Sequence, residues 1–130
     1  MPERKRLPSR RYGYNQKCSI GKDLKLYIRT GEYEDGTLGE VFVDVDKQGT
    51  MIRALMSCFC IAVSIALQYG CPLEVLANQF VGSRFEPAGP VGDHSRIKNS
   101  SSILDLIFRD LMINYAGKDE LAHVPLEKGE

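Results

Sequence analysis

The chain has 130 residues with 17 basic and 17 acidic side chains, so its formal charge is zero. That length provides one domain with a modest core, too small for a large catalytic barrel plus a cofactor domain, and the balanced charge exerts no overall pull toward nucleic acid or membrane. The charge is uneven, however: residues 1–17, MPERKRLPSRRYGYNQK, hold six Lys or Arg and one Glu, which leaves an acidic body.

Residues 1–16 read as a flexible basic arm, residues 17–117 as the folded domain and residues 118–130 as a tail. The basic start runs into Pro and Arg rather than an apolar stretch, so no secretory signal is expected and the chain reads as cytoplasmic. Arg4, Lys5, Arg6, Arg10 and Arg11 are candidates for contact with phosphate or with an acidic face of a protein partner. Direct nucleic-acid binding is expected to be weak, because no stacking platform accompanies the arginines and tyrosines of the arm.

Lys17 to Ile20 predicts a short strand, Gly21-Lys22 a turn, and the alternation of Leu24, Leu26 and Ile28 a second strand. The stretch RTGEYEDGTLGEVFV follows, crowding Glu32, Glu34, Asp35 and Glu40 together. The spacing does not meet that of a calcium loop, and a catalytic carboxylate pair needs one desolvated member, which a wet turn does not provide. Asp35-Gly36 is a hairpin signal, with Thr37, Leu38 and Gly39 lengthening the tip, and Glu34 and Asp35 are candidates for docking a partner. Val41, Val43 and Val45 continue as a third strand.

Met51 to Tyr69 predicts a long helix whose uncharged run is short of the roughly 20 residues that span a bilayer, so a core helix is expected and no membrane partner. Ile52, Leu55, Phe59, Val63, Ala66 and Leu67 form one stripe, while Met56, Ile61 and Ile65 cover much of the other side. Such a helix requires apolar cover all round, partly from a second copy of the chain, hence a homodimer. Gly70 suits a left-handed cap, and Cys71 the N-cap of a short helix from Pro72 to about Phe80. Residues 81–101, rich in Gly, Pro and Ser, read as a long loop. Ser102 with Asp105 resembles a capping box for a last helix with Ile103, Leu104, Ile107, Phe108, Leu111 and Tyr115 on its apolar face. The predicted fold is α+β: a small three-stranded antiparallel sheet followed by three helices packed on one face.

Four cysteines raise the question of zinc, but Cys58 and Cys60 lie about 200° apart on a helix and cannot both reach one ion, so no metal is expected. Both are read as small buried hydrophobes. Cys71, at a helix N-terminus, and Cys18, beside the basic arm, are the expected exposed and reactive thiols. His94 and His123 stand apart from any nucleophile or carboxylate motif and are given no catalytic role.

Three runs, RTGEYEDGTLGEVFVDVDKQGT, SIALQYGCPLEVLANQFVGSRFEPAGPV and SSILDLIFRDL, together resemble the TSCPD-type accessory domain near the C-terminus of adenosylcobalamin-dependent ribonucleotide reductases. The resemblance covers roughly Arg6 to His123. In those reductases a separate radical barrel does the chemistry, so the resemblance implies a non-enzymatic chain with no cofactor of its own. Small stand-alone proteins that look like this domain are linked to redox-controlled inhibition of topoisomerase IV. Cys58, Cys60 and Cys71 fall where the reductase domains mostly carry apolar residues, which fits that role, with Cys18, Cys58, Cys60 and Cys71 as the regulatory set. The main expectation is therefore a regulator that binds a larger DNA-metabolism enzyme such as topoisomerase IV under redox control. The alternative is a detached accessory subunit of a cobalamin-dependent reductase, against which counts the absence of the family's cysteine-bearing tail after Cys71.

Overall fold

The computed structural model describes residues 3–125. The first two residues of the expected arm and the last five of the expected tail lie outside them. Three strands open the domain: β1 (Asn15–Ile20), β2 (Leu24–Glu32) and β3 (Leu38–Asp46). They pair antiparallel, with Cys18 opposite Leu26 and Ile28 opposite Val43. Alternation puts Cys18, Ile20, Leu24, Leu26, Ile28, Val41, Val43 and Val45 on the buried face, while Lys17, Lys25, Arg29 and Asp44 lie on the open one. On that open face Arg29 meets Asp44 at 2.9 Å and lies over the Phe42 ring.

The sheet has five strands rather than three, in the order β3-β2-β1-β4-β5. The segment expected to be a loop contributes β4 (Gly89–Gly92), which pairs with β1, and β5 (Asn99–Ser100), which pairs with β4. Gly and Pro suppress the strand signal here, and Gly92 fits the close approach to β1, where a Cβ would sit 2.5 Å from Ser19 Oγ. The hairpin turn is where Asp35-Gly36 predicts it, but the tip is shorter, because Leu38 and Gly39 are buried residues of β3.

Helix α1 (Thr50–Gln68) packs on β3 through Met56, Cys60, Val63 and Leu67. It ends in a Schellman arrangement: Cys71 N–H donates to the Ala66 carbonyl, Gly70 N–H donates to the Leu67 carbonyl, and Gly70 takes a positive φ of 96°. Within one chain α1 is not covered on all sides. Met51 is 69% exposed, Leu55 64%, Ile61 56% and Ile52 48%; of the predicted stripe, Val63 and Leu67 are buried while Ile52 and Leu55 face solvent. By length and composition alone α1 could cross a membrane, but its Met56–Leu67 stripe seats it on the sheet.

Helix α2 (Leu73–Phe80) leads to α3 (Ile103–Ala116), which takes the central place expected of α1. Leu106, Ile107, Phe108 and Leu111 are at most 1% exposed, and Met112, Ile113 and Asp110 are buried as well, so α3 is covered on more sides than its predicted face allowed. Phe59, Phe80 and Phe108 cluster with ring centroids 5.0–6.2 Å apart and join the three helices. Only half of the expected capping box forms: Asp105 N–H donates to Ser102 Oγ at 3.0 Å, while Ser102 N–H turns to Ser100 Oγ rather than to the Asp105 carboxylate. Asp105 also accepts from Gly82 N–H, Ser101 N–H and Arg109 Nε. Burial opposes its charge, but those donors outweigh burial and hold its carboxyl below the usual range.

Candidate functional site

The basic segment is tied to the domain rather than free in solvent. Gln68, 6% exposed near the end of α1, is the hub: its Oε1 accepts from Arg4 Nε at 2.7 Å and its Nε2 donates to the Gly39 carbonyl at 3.0 Å. Its backbone carbonyl accepts from Lys5 N–H. Lys5 in turn places its ammonium 4.5 Å from the centre of the Tyr33 ring, and Tyr33 O–H donates to the Lys5 carbonyl. Further along, Arg11 pairs with Glu40 at 2.7 Å, and backbone hydrogen bonds join Tyr12 and Tyr14 to β2. Gly13 passes so close to Thr30 that a Cβ would fall 1.9 Å from the Thr30 carbonyl oxygen.

Two grooves follow, sharing Lys5 and Tyr33. One, of about 390 Å³, is lined by Lys5, Arg6, Leu7, Tyr33, Glu34 and Asp35. The other, of about 460 Å³, runs past Gln68, Tyr69, Cys71 and Tyr115. The fold thus brings Lys5, Arg6, Glu34, Asp35 and Cys71 together, with Arg4 beside them, while Arg10 is exposed elsewhere and Arg11 is occupied by Glu40. Asp35 accepts from the hydroxyl and the N–H of Thr37, which hold its carboxyl below the ordinary value. Charges of both signs beside tyrosines suit recognition of a polypeptide surface. Among the described residues, no three His, Cys, Asp or Glu are placed to hold a metal ion.

The cysteines divide differently from expectation. Cys18 is fully buried rather than exposed, because its side chain falls on the sheet's inner face; burial first, then Asp110 and Asp93, push its thiol up to about 12. Cys60 is buried and pushed up to about 11, also mainly by burial. Cys58 is exposed rather than buried, on the outer side of α1. Cys71 is half-buried and does not cap a helix, since α2 begins one residue later than expected, with Pro72 at its N-cap. Native protein is therefore expected to titrate two thiols rapidly with a colorimetric disulfide reagent and all four after denaturation. Rapid reaction in a Cys58→Ser, Cys71→Ser variant would contradict this assignment.

One polar cluster escaped sequence reasoning. His94 is not isolated: its Nε2 lies 2.8 Å from Asp110 Oδ1, and its Nδ1 accepts from the N–H groups of Arg96 and Ile97 at 3.1 and 3.0 Å. Two donors at Nδ1 leave the proton on Nε2, which donates to Asp110. Tyr14 O–H bonds the other Asp110 oxygen, and burial together with Asp110 raises the tyrosine's pKa. The cluster pins the arm's end, the β4–β5 loop and α3 to one point. His94 and Asp110 at its centre are buried and Tyr14 is half-buried, and the cluster serves the fold. Sixteen residues separate His94 from Asp110, a spacing that matches no local motif.

Fold and surfaces together define a small α+β module whose buried polar groups hold its segments together and whose open groups line grooves. The chain matches the TSCPD domain family over residues 2–115 and belongs to that family. It is 51% identical over 122 residues to a protein of Agrobacterium fabrum named vitamin B12-dependent ribonucleotide reductase, a match that covers 94% of this chain and 10% of the relative. Proteins of the same name from Bradyrhizobium diazoefficiens and Streptantibioticus cattleyicolor are 50% and 42% identical, over 95% and 88% of this chain and 10% and 19% of theirs. The chain thus spans about a tenth of the length of the first two relatives. No solved structure matches it significantly.

Proposed function

We propose that the chain is a non-catalytic TSCPD module that works with a vitamin B12-dependent ribonucleotide reductase in the cytoplasm, seated on that enzyme through its arm–hairpin grooves. The observation that carries this reading is half-identity, across nearly the whole chain, to a segment making up a tenth of proteins bearing that name. The module brings no cofactor and leaves the reaction to the remainder of the enzyme. This exchanges the order of the two readings drawn from sequence, because the relatives carry the reductase name. The redox-gated regulator of topoisomerase IV keeps one supporting observation, the accessible thiols of Cys58 and Cys71, and loses Cys18 and Cys60 as reactive groups.

The test is binding of the immobilised chain to two purified targets, with and without oxidant: a B12-dependent reductase lacking its own TSCPD segment, and topoisomerase IV subunits. The expected result is capture of the reductase, indifferent to oxidant and weakened by Lys5→Glu with Arg6→Glu. Capture of topoisomerase IV alone, and only after oxidation, would overturn the proposal.

A further inference from the structure

The side of α1 that faces the sheet is not purely apolar: Ser64 and Gln68 are buried in it together with Cys60. A hydroxyl and an amide buried there require partners, and they find them on the backbone of one strand. β3 is the outermost strand of the sheet, and Thr30 of β2, opposite Val41, turns its N–H away to the Tyr14 carbonyl. By the alternation of an antiparallel ladder, Val41, Val43 and Val45 therefore point their own N–H and C=O groups off the sheet. A row of that kind, left open, is a template for another strand.

Only residues 47–49 connect β3 to α1, so the helix folds back along the strand and meets this row. Gln68 Nε2 donates to the Gly39 carbonyl at 3.0 Å. Ser64 Oγ accepts from Val41 N–H at 3.0 Å and donates to the Val41 carbonyl at 3.2 Å. Val43 N–H faces the Cys60 sulfur, a contact that partly offsets the effect of burial on that thiol. Helix numbers thus fall by four as strand numbers rise by two. Four residues of helix rise about 6 Å and two residues of antiparallel strand about 6.8 Å, so the side chains stay in reach over three rungs. Val41 requires both an acceptor and a donor, and a serine hydroxyl supplies both from one small group. The next step of the series is Met56 for Val45, and a thioether serves neither role well. The other edge strand, β5, is only two residues long, which by itself offers little to pair with.

We infer that α1 takes the place of a neighbouring strand for β3: Gln68, Ser64 and Cys60 form a side-chain ladder that closes the free edge of the sheet against a strand from a second copy of this chain. The ladder is internal to the α1–β3 pair and does not depend on the reductase reading.

Amide hydrogen exchange of the full chain, read by nuclear magnetic resonance, tests the ladder. In the parent, the outward Val41 N–H should exchange at least about 10-fold more slowly than the outward Val45 N–H of the same strand. In Ser64→Ala, exchange at Val41 should rise at least about 10-fold relative to exchange at Phe42, which pairs with Arg29 of β2. A general loss of stability would move both amides alike. Association is the second readout, by sedimentation velocity at about 100 µM under reducing conditions. Ser64→Val, which leaves the Val41 groups buried and unpaired, should form species heavier than the parent's, with the infrared signature of added antiparallel sheet. Ile107→Val, a destabilising change in α3 away from the edge, should sediment as the parent does. Equal protection of Val41 and Val45 in the parent, or an unchanged ratio of Val41 to Phe42 in Ser64→Ala, would overturn the inference. So would a Ser64→Val chain that keeps the parent's mass, or an Ile107→Val chain that associates to the same extent.

Discussion

Replacing Asp110 with alanine is expected to destabilise the domain by about 3 kcal/mol or more, the loss typical when one partner of a buried, charge-assisted cluster is removed. The carboxylate is fully buried and receives His94 Nε2–H, Tyr14 O–H and Asn114 Nδ2. Without it, His94 and Tyr14 keep donors with no acceptor, and three distant segments lose their common anchor. Asp110→Asn should lose less, because the amide oxygen still accepts one of the two donors. Urea unfolding monitored by circular dichroism provides the comparison, at unchanged dependence on denaturant. A loss under about 1 kcal/mol for the alanine variant would mean that the cluster is not a structural anchor.

The second large effect separates the two long helices. Phe108→Ala in α3 should cost about 3–5 kcal/mol, because a fully buried ring stacked on Phe80 and in edge contact with Phe59 leaves a cavity among three helices. Met51→Ala in α1, at 69% exposure, should change the unfolding free energy by no more than about 0.5 kcal/mol at dilutions where the protein is monomeric. Hydropathy alone predicts the opposite ranking, since α1 is the more continuously apolar helix. Comparable losses at the two sites would refute the burial pattern.

The contrast between these helices shows where sequence reasoning stops. Period-two alternation in Leu24, Leu26, Ile28 and Val41, Val43, Val45 identified two strands, and Asp35-Gly36 the turn between them, because strand and turn signals are local. Gly70 and the Ser102–Asp105 box marked helix ends for the same reason: the cap bonds lie within a few residues of each other. The α+β class followed from the order of these elements.

Everything that required knowing what packs on what was decided by tertiary structure. Apolar periodicity shows that a helix face avoids water, and it does not say whether the same polypeptide supplies the cover. α1 spends one stripe on β3 and leaves the opposite seam open, while α3, less continuously apolar, is enclosed. Strands β4 and β5 have sequences that disfavour extended pairing, and the edge of β1 recruits β4, which in turn pairs with β5. Cys18 and Cys58 exchanged their expected environments because burial is set by sheet face and helix side, not by a neighbouring lysine or a long apolar run. His94 and Asp110 meet only because the β4–β5 loop folds back over α3, and a contact formed by such a return leaves no spacing in the sequence to read.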